Sequence, residues 1–191
     1  LKEEAIFMLY SLGISTNRDD WVYDFDKKYL SDKMHYFSTS YEDFDQDIKW
    51  SRNLKRRFDR NQKECFSFKK IQLSSYRPFI NLYLYKSSIF IDEFGSAEQI
   101  FNASKKDLAI SFSNRTSPKP FATLAVNRIT DLHYIGDTVL VSLHRYTNDN
   151  STIDNITDWS LSRFQEHYAD PTLTKLDIFH YVYAVLHDPV Y

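Results

Sequence analysis

Five cations occur close together at Lys49, Arg52, Lys55, Arg56 and Arg60. Four of them, Lys49, Arg52, Arg56 and Arg60, are spaced 3, 4 and 4 apart and fall on one side of a helix, with Lys55 beside the row. Trp50, Leu54 and Phe58 recur every four residues and mark the opposite side. Such a row suits electrostatic contact with phosphates, which gives affinity and register but little sequence information. A solvated helix face with no partner carries the same pattern.

Charge along the chain sharpens the signal. The net charge is −2, yet residues 49–86 hold 11 Lys or Arg against 2 Asp or Glu. Residues 1–48 hold 5 against 11, and residues 87–191 hold 8 against 13. A basic block threaded with Trp50, Phe58, Phe66, Phe68 and Tyr76 between two acidic stretches is the footprint expected for a polyanion.

Covalent chemistry finds no support in the motifs. There is no GxxxxGK[ST], GxGxxG or G-x-S-x-G sequence, and no Cys or His pair has metal-ligand spacing. His133, His144, His167, His180 and His187 read as surface or core residues. Asp92-Glu93 lacks the lysine two residues on that a nuclease site would add. We therefore expect no catalytic residue, no metal and no cofactor within this chain. Cys65 is the single cysteine, reads as a buried thiol and fits a reducing cytoplasm. No apolar run is long enough for a membrane span, and no signal peptide opens the chain. The sequons at Asn102, Asn114, Asn150 and Asn155 are read as accidents of composition. The first residue is Leu1 rather than Met, so the chain reads as a piece of a longer polypeptide.

The elements that would position these residues are expected in three blocks. Residues 1–62 read as helical, with helices over 1–12, 27–44 and 47–60 and a short strand at Trp21–Phe25. Residues 63–146 are strand-rich, with strands at 66–71, 108–112, 122–126 and 138–142 and a hairpin of 82–85 with 88–91. Residues 154–188 return to helix over 155–167 and 175–187, the latter with Thr174 as N-cap and Asp177 as its N3 partner. The expected fold is α+β: one domain over 1–191, with a central mixed or largely antiparallel sheet flanked by N-terminal and C-terminal helices.

Several separated stretches share an order with a known family. They are Gly13-Ile14-Ser15-Thr16-Asn17-Arg18-Asp19 before Trp21-Val22-Tyr23, then Asp47-Ile48-Lys49-Trp50-Ser51 and Ser75-Tyr76-Arg77-Pro78-Phe79. Asn127-Arg128-Ile129-Thr130-Asp131-Leu132-His133 and the run Asp177 to Tyr191 follow. The set resembles the C-terminal target-recognition region of type ISP restriction-modification enzymes and related adenine-specific DNA methyltransferases. The resemblance implies a specificity module for duplex DNA that works beside a methyltransferase domain of the same polypeptide. S-adenosylmethionine and an Asn-Pro-Pro-Tyr type motif would belong to that other domain, whose target adenine is flipped from the duplex.

Beyond the cationic helix, Arg77, Lys119, Asn127 and Arg128 are candidates for DNA contact, and Arg18 has that as one of two readings. Arg77, before a proline that favours extended backbone, either reaches a phosphate or guanine edge or pairs with a carboxylate while Tyr76 and Phe79 pack in the core. Arg18 and Asp19 form a local ion pair, or Arg18 faces DNA. Asn127 and Arg128 follow a strand where a reading loop could begin, and Lys119 sits in a proline-flanked loop. The rival reading is a protein-interaction or assembly module docked on the methyltransferase domain.

Overall fold

Alternating and continuous apolar runs build three antiparallel sheets among the described residues. The computed structural model describes residues 4–40, 50–102, 105 and 108–190. Its class is the expected α+β, divided into two compact units that each draw on separated stretches of sequence.

The first unit comprises residues 1–13, 95–128 and 132–191. Its sheet has strand order β1-β7-β5-β6, from β1 (Ser11–Leu12), β5 (Ala109–Ser113), β6 (Thr123–Val126) and β7 (Thr138–Ser142). β5 lies between β6 and β7, with Ala109 facing Val126 on one side and Ser142 on the other. β8 (His144–Tyr146) and β9 (Thr152–Asp154) form a separate pair. Two helices, α5 (Asp158–Tyr168) and α6 (Lys175–Val185), bring Leu161, Ile178 and Phe179 onto Ile110, Val141 and Ile156. α4 (Ala97–Ile100) is a single turn.

α6 starts where expected: the Thr174 side chain accepts from the Asp177 backbone and the Asp177 carboxylate accepts from Thr174, a complete capping box. Replacing Thr174 by Ala is expected to cost about 1 kcal/mol, measurable as a lowered midpoint in urea unfolding. An unchanged midpoint would show that packing alone sets the helix start.

The second unit comprises residues 14–94 and 129–131. Its sheet, in the order β2-β4-β3, uses β2 (Tyr23–Asp24), β3 (Ile71–Arg77) and β4 (Ile80–Tyr85). α1 (Asp19–Val22) leads into β2, and α2 (Lys27–Thr39) starts at Asp26, whose carboxylate accepts from the Tyr29 amide. Leu30 and Met34 of α2 are fully buried. α3 (Arg52–Asp59) carries the basic row.

Five local expectations are corrected, and the simplest is Cys65, expected as a buried thiol but exposed. Residues 4–10 form no α-helix: Phe7 bridges Ile156, and the Asn155 side chain accepts from the Leu9 amide while donating to the Leu9 carbonyl. Burial of Ile6 and Phe7 against the core outweighs helix propensity here. β4 pairs with β3, not with residues 88–91. Ile89, Phe90 and Ile91 are instead a buried turn, in which the Ser87 hydroxyl accepts from the Ile89 and Phe90 amides. The segment 66–70 holds a 3-10 turn at Phe68–Lys70 before β3 begins. Trp21 and Val22 are helical, and only Tyr23–Asp24 is strand. The stretch 41–49 of the two expected helices lies outside the described residues.

Candidate nucleic-acid interface

α3 is held at its start by buried polar groups. Ser51 is the N-cap, and its hydroxyl accepts from the Leu54 amide at 3.1 Å. The same hydroxyl accepts from Arg18 Nη2 at 2.7 Å and donates to the Asp92 carboxylate. Arg18 is almost fully buried, and it also bonds the Phe90 carbonyl and Asp92 Oδ1, the latter at 3.1 Å. Asn17 Nδ2 donates to Asp92 Oδ2 at 2.6 Å. Burial pushes the Asp92 carboxyl upward. The bonds from Ser51 and Asn17 and the Arg18 guanidinium outweigh it and hold the group below the usual carboxylate value. The ion pair that Arg18 makes among the described residues is thus with Asp92, far along the chain, where a local pair with Asp19 was one of its two readings.

The seat of α3 differs from the expected aromatic stripe. Leu54 is fully buried, whereas Trp50 and Phe58 are each 38% exposed and meet edge to face at 5.2 Å. Arg57 supplies the rest of the anchor. Its Nη1 donates to the Ile89 and Ile91 carbonyls, each at 2.8 Å, and its Nη2 to the Asp92 carbonyl at 3.2 Å. Those carbonyls lie in the buried turn and need donors that no strand provides.

With Leu54 and Arg57 turned inward, the other cations face out. Arg52, Lys55, Arg56 and Arg60 are exposed, and their side chains make no hydrogen bond or ion pair among the described residues. Lys49 lies outside the described residues. An open cleft of about 550 Å³ adjoins the row, lined by Asn17, Trp50, Arg52, Asn53, Arg56 and Asp92 among others. Unpaired guanidinium groups beside an exposed indole can bind phosphate and stack on a planar group. The amides of Asn17 and Asn53 were not evident as site residues in the sequence; only the fold brings them beside α3.

Arg77 makes the carboxylate pairing that one of its two readings expected, with its side chain still partly exposed. Its Nη1 bonds Asp131 Oδ1 at 2.5 Å and the Tyr76 carbonyl at 2.7 Å, and its Nη2 lies 3.6 Å from Asp19 Oδ2. The guanidinium also sits over the Tyr76 ring, 3.9 Å from the centroid. Register shifts between Ser75 and Arg77, so Tyr76 is the extra residue of a bulge, and its hydroxyl donates to Asp19 Oδ2 at 2.8 Å. Burial, then the Asp19 carboxylate, pushes the Tyr76 hydroxyl up to about 12. Phe79, expected in the core, is instead 91% exposed at the hairpin tip with φ +64°.

Lys119, Asn127 and Arg128 belong to the first unit, whereas Arg77 and the cations of α3 belong to the second. Lys119 is exposed in its loop, where its Cδ comes within 3.0 Å of the position a Cβ on Gly136 would take. Gly136 adopts φ +96°, a conformation in which a side chain is strained. Asn127 is exposed after β6, and its Oδ1 accepts from Arg128 Nε at 3.0 Å. Among the described residues no group of three His, Cys, Asp or Glu could hold a metal, and no helix is long and apolar enough to cross a membrane.

The sequence matches the family described as the Type ISP C-terminal specificity domain over residues 5–191. A cryo-EM structure of a DrdV–DNA complex is 36% identical with a TM-score of 0.92, over 97% of this chain and 20% of that one. A nuclease-deletion mutant of the Type ISP restriction-modification enzyme LlaGI, in complex with a DNA substrate mimic, is 30% identical with a TM-score of 0.80. That match covers 97% of this chain and 16% of the other. The ATP-dependent Type ISP enzyme LlaBIII bound to DNA is 26% identical with a TM-score of 0.81, over 98% of this chain and 13% of that one. The chain thus spans a fifth or less of the length of these solved chains. No curated protein matches it.

Proposed function

This chain belongs to the Type ISP C-terminal specificity domain family, and from that membership we propose that it recognises a duplex DNA target for a restriction-modification enzyme. The observation that carries the reading is the exposed, unpaired row Arg52, Lys55, Arg56 and Arg60, anchored from behind by Leu54, Arg57 and the Arg18–Asp92–Ser51 node. The row supplies phosphate contacts, which fix register and dominate affinity. The DNA-bound state of the three similar structures supports the same partner.

Base selection falls to other groups. Asn127 and Arg128 after β6, and Lys119 in its loop, are exposed or half-exposed and of the types that read base edges or phosphates. Arg77 acts through the hairpin it holds rather than as a free cation. The full-length protein would add S-adenosylmethionine and adenine-N6 methyl transfer in a methyltransferase domain, in the cytoplasm. This domain would choose the sequence and that one would perform the chemistry.

Fluorescence anisotropy of the full-length protein on labelled duplex DNA, across a salt series, tests the reading. Affinity is expected to fall linearly in log–log form, with a slope of about −0.9 for each phosphate contacted. Binding that is absent at low salt, with tight association to the isolated methyltransferase domain, would instead favour the assembly module.

A further inference from the structure

The hairpin of β3 and β4 ends in two residues, Pro78 and Phe79, between the paired Arg77 and Ile80. Proline followed by a residue of positive φ is the pattern of a type II turn, whose second position favours glycine. Here that position holds phenylalanine at φ +64°. Pro78, Phe79 and Ile80 are all exposed, so the tip presents three uncharged apolar residues. Phe25 is almost as exposed, at 77%, but it stands between the carboxylates of Asp24 and Asp26.

The tip is rigidly held. Arg77 is fastened to Asp131 and the Tyr76 carbonyl, Tyr76 is fastened to Asp19, and proline fixes its own φ. The start of α1 serves the basic helix as well, because Arg18 bonds the N-cap of α3 while the adjacent Asp19 holds Tyr76 and Arg77. Two adjacent residues therefore tie the phosphate-binding row and the apolar tip into the same unit. Strained backbone that holds an exposed aromatic ring costs stability without gaining burial, which marks a function for the ring.

We propose that Phe79 is an apolar wedge that enters the base stack of duplex DNA and opens a base step. Inserted Phe, Leu, Ile or Pro side chains at a rigid tip are a known physical route to unstacking and kinking a duplex. The proposal rests on the DNA reading above and adds to it a stacking contact and a distortion. It assigns shape-dependent specificity to the hairpin, because steps that unstack easily accept a wedge at lower cost.

The probe is the duplex that the full-length wild-type protein selects from a random-sequence library, carrying 2-aminopurine at each position in turn. Wild type is expected to raise the fluorescence several-fold at one step. Phe79→Ala and Phe79→Gly are expected to abolish that rise, while Phe79→Leu keeps a substantial part of it. Phe79→Gly suits the positive φ, so it is expected to melt at the same temperature as wild type or higher, which separates loss of the wedge from loss of fold. An unchanged rise in Phe79→Gly, or no rise in wild type on a duplex it binds, overturns the wedge and leaves DNA recognition standing. Failure of wild type to select any duplex overturns both. Normal distortion with lost association to the rest of the polypeptide would reassign Phe79 to a protein contact and also overturn the proposal.

Discussion

Changing Arg52, Arg56 and Arg60 together to Glu weakens duplex DNA binding of the full-length protein by roughly 100-fold or more at near-physiological salt. Each phosphate contact on duplex DNA adds about 0.9 to the salt slope, which at ~0.15 M salt is roughly fivefold in affinity per contact. Three lost contacts multiply to about that size, and the introduced carboxylates repel the backbone further. The slope itself is expected to shrink by about 3, so the salt series reports the number of contacts independently of the affinity. Arg52, Arg56 and Arg60 are exposed and make no side-chain bond among the described residues, so the fold should be little disturbed. An unaltered slope would remove the α3 row from the interface.

Arg57 provides the internal control. It is as cationic as Arg56 and adjacent to it, but its guanidinium is spent on the Ile89, Ile91 and Asp92 carbonyls. Arg57→Ala leaves those partly buried acceptors without their donor and is expected to cost about 1–3 kcal/mol of stability. Arg56→Ala is expected to cost DNA affinity and almost no stability. Urea unfolding and anisotropy on the same two variants should therefore cross over. If both variants behave alike, net charge rather than the face of the helix is what matters.

The contrast between Arg56 and Arg57 also shows where the sequence could be read and where it could not. Local rules were enough for the existence of α3, although it starts at Arg52 and leaves Trp50 and Ser51 outside the helix expected over 47–60, for the capping box of Thr174 and Asp177, and for the apolar strands β5, β6 and β7. Each depends on residues within a few positions of one another. Which cation of α3 faces inward depends on a turn more than thirty residues away, because the helix sits on carbonyls that only the folded chain places there. The N-terminal segment was misread for the same kind of reason: Asn155, 146 residues distant, holds both the amide and the carbonyl of Leu9. Phe79 was hidden differently. Turn chemistry calls for glycine after Pro78, and an apolar residue in its place reads as core. Only exposure reveals that the ring points to solvent.

Asp92→Ala is expected to lower the unfolding free energy by about 3–5 kcal/mol, a large fraction of the ~5–15 kcal/mol typical of a domain. The magnitude follows from what remains: Arg18 keeps its charge in a buried site, bonded to the Phe90 carbonyl and the Ser51 hydroxyl but without the Asp92 carboxylate. Ser51 loses its acceptor and Asn17 its anchor, so the start of α3 loosens and DNA affinity falls with it. Removing both charges, as Arg18→Met with Asp92→Leu, should recover part of the loss, because a buried pair is costly mainly when broken. A double variant no better than Asp92→Ala would show that the carboxylate acts through Ser51 and Asn17 rather than through Arg18. The pH dependence has a definite sign. The folded Asp92 carboxyl lies below its unfolded value of about 4, so its contribution is complete above that value and is lost as pH falls through the folded one. Wild type should therefore lose stability on acidification below about pH 4 more steeply than Asp92→Asn, which has no proton to take up at this position. Parallel acid-unfolding curves for the two proteins would mean that the depressed carboxyl contributes nothing to the hold on α3.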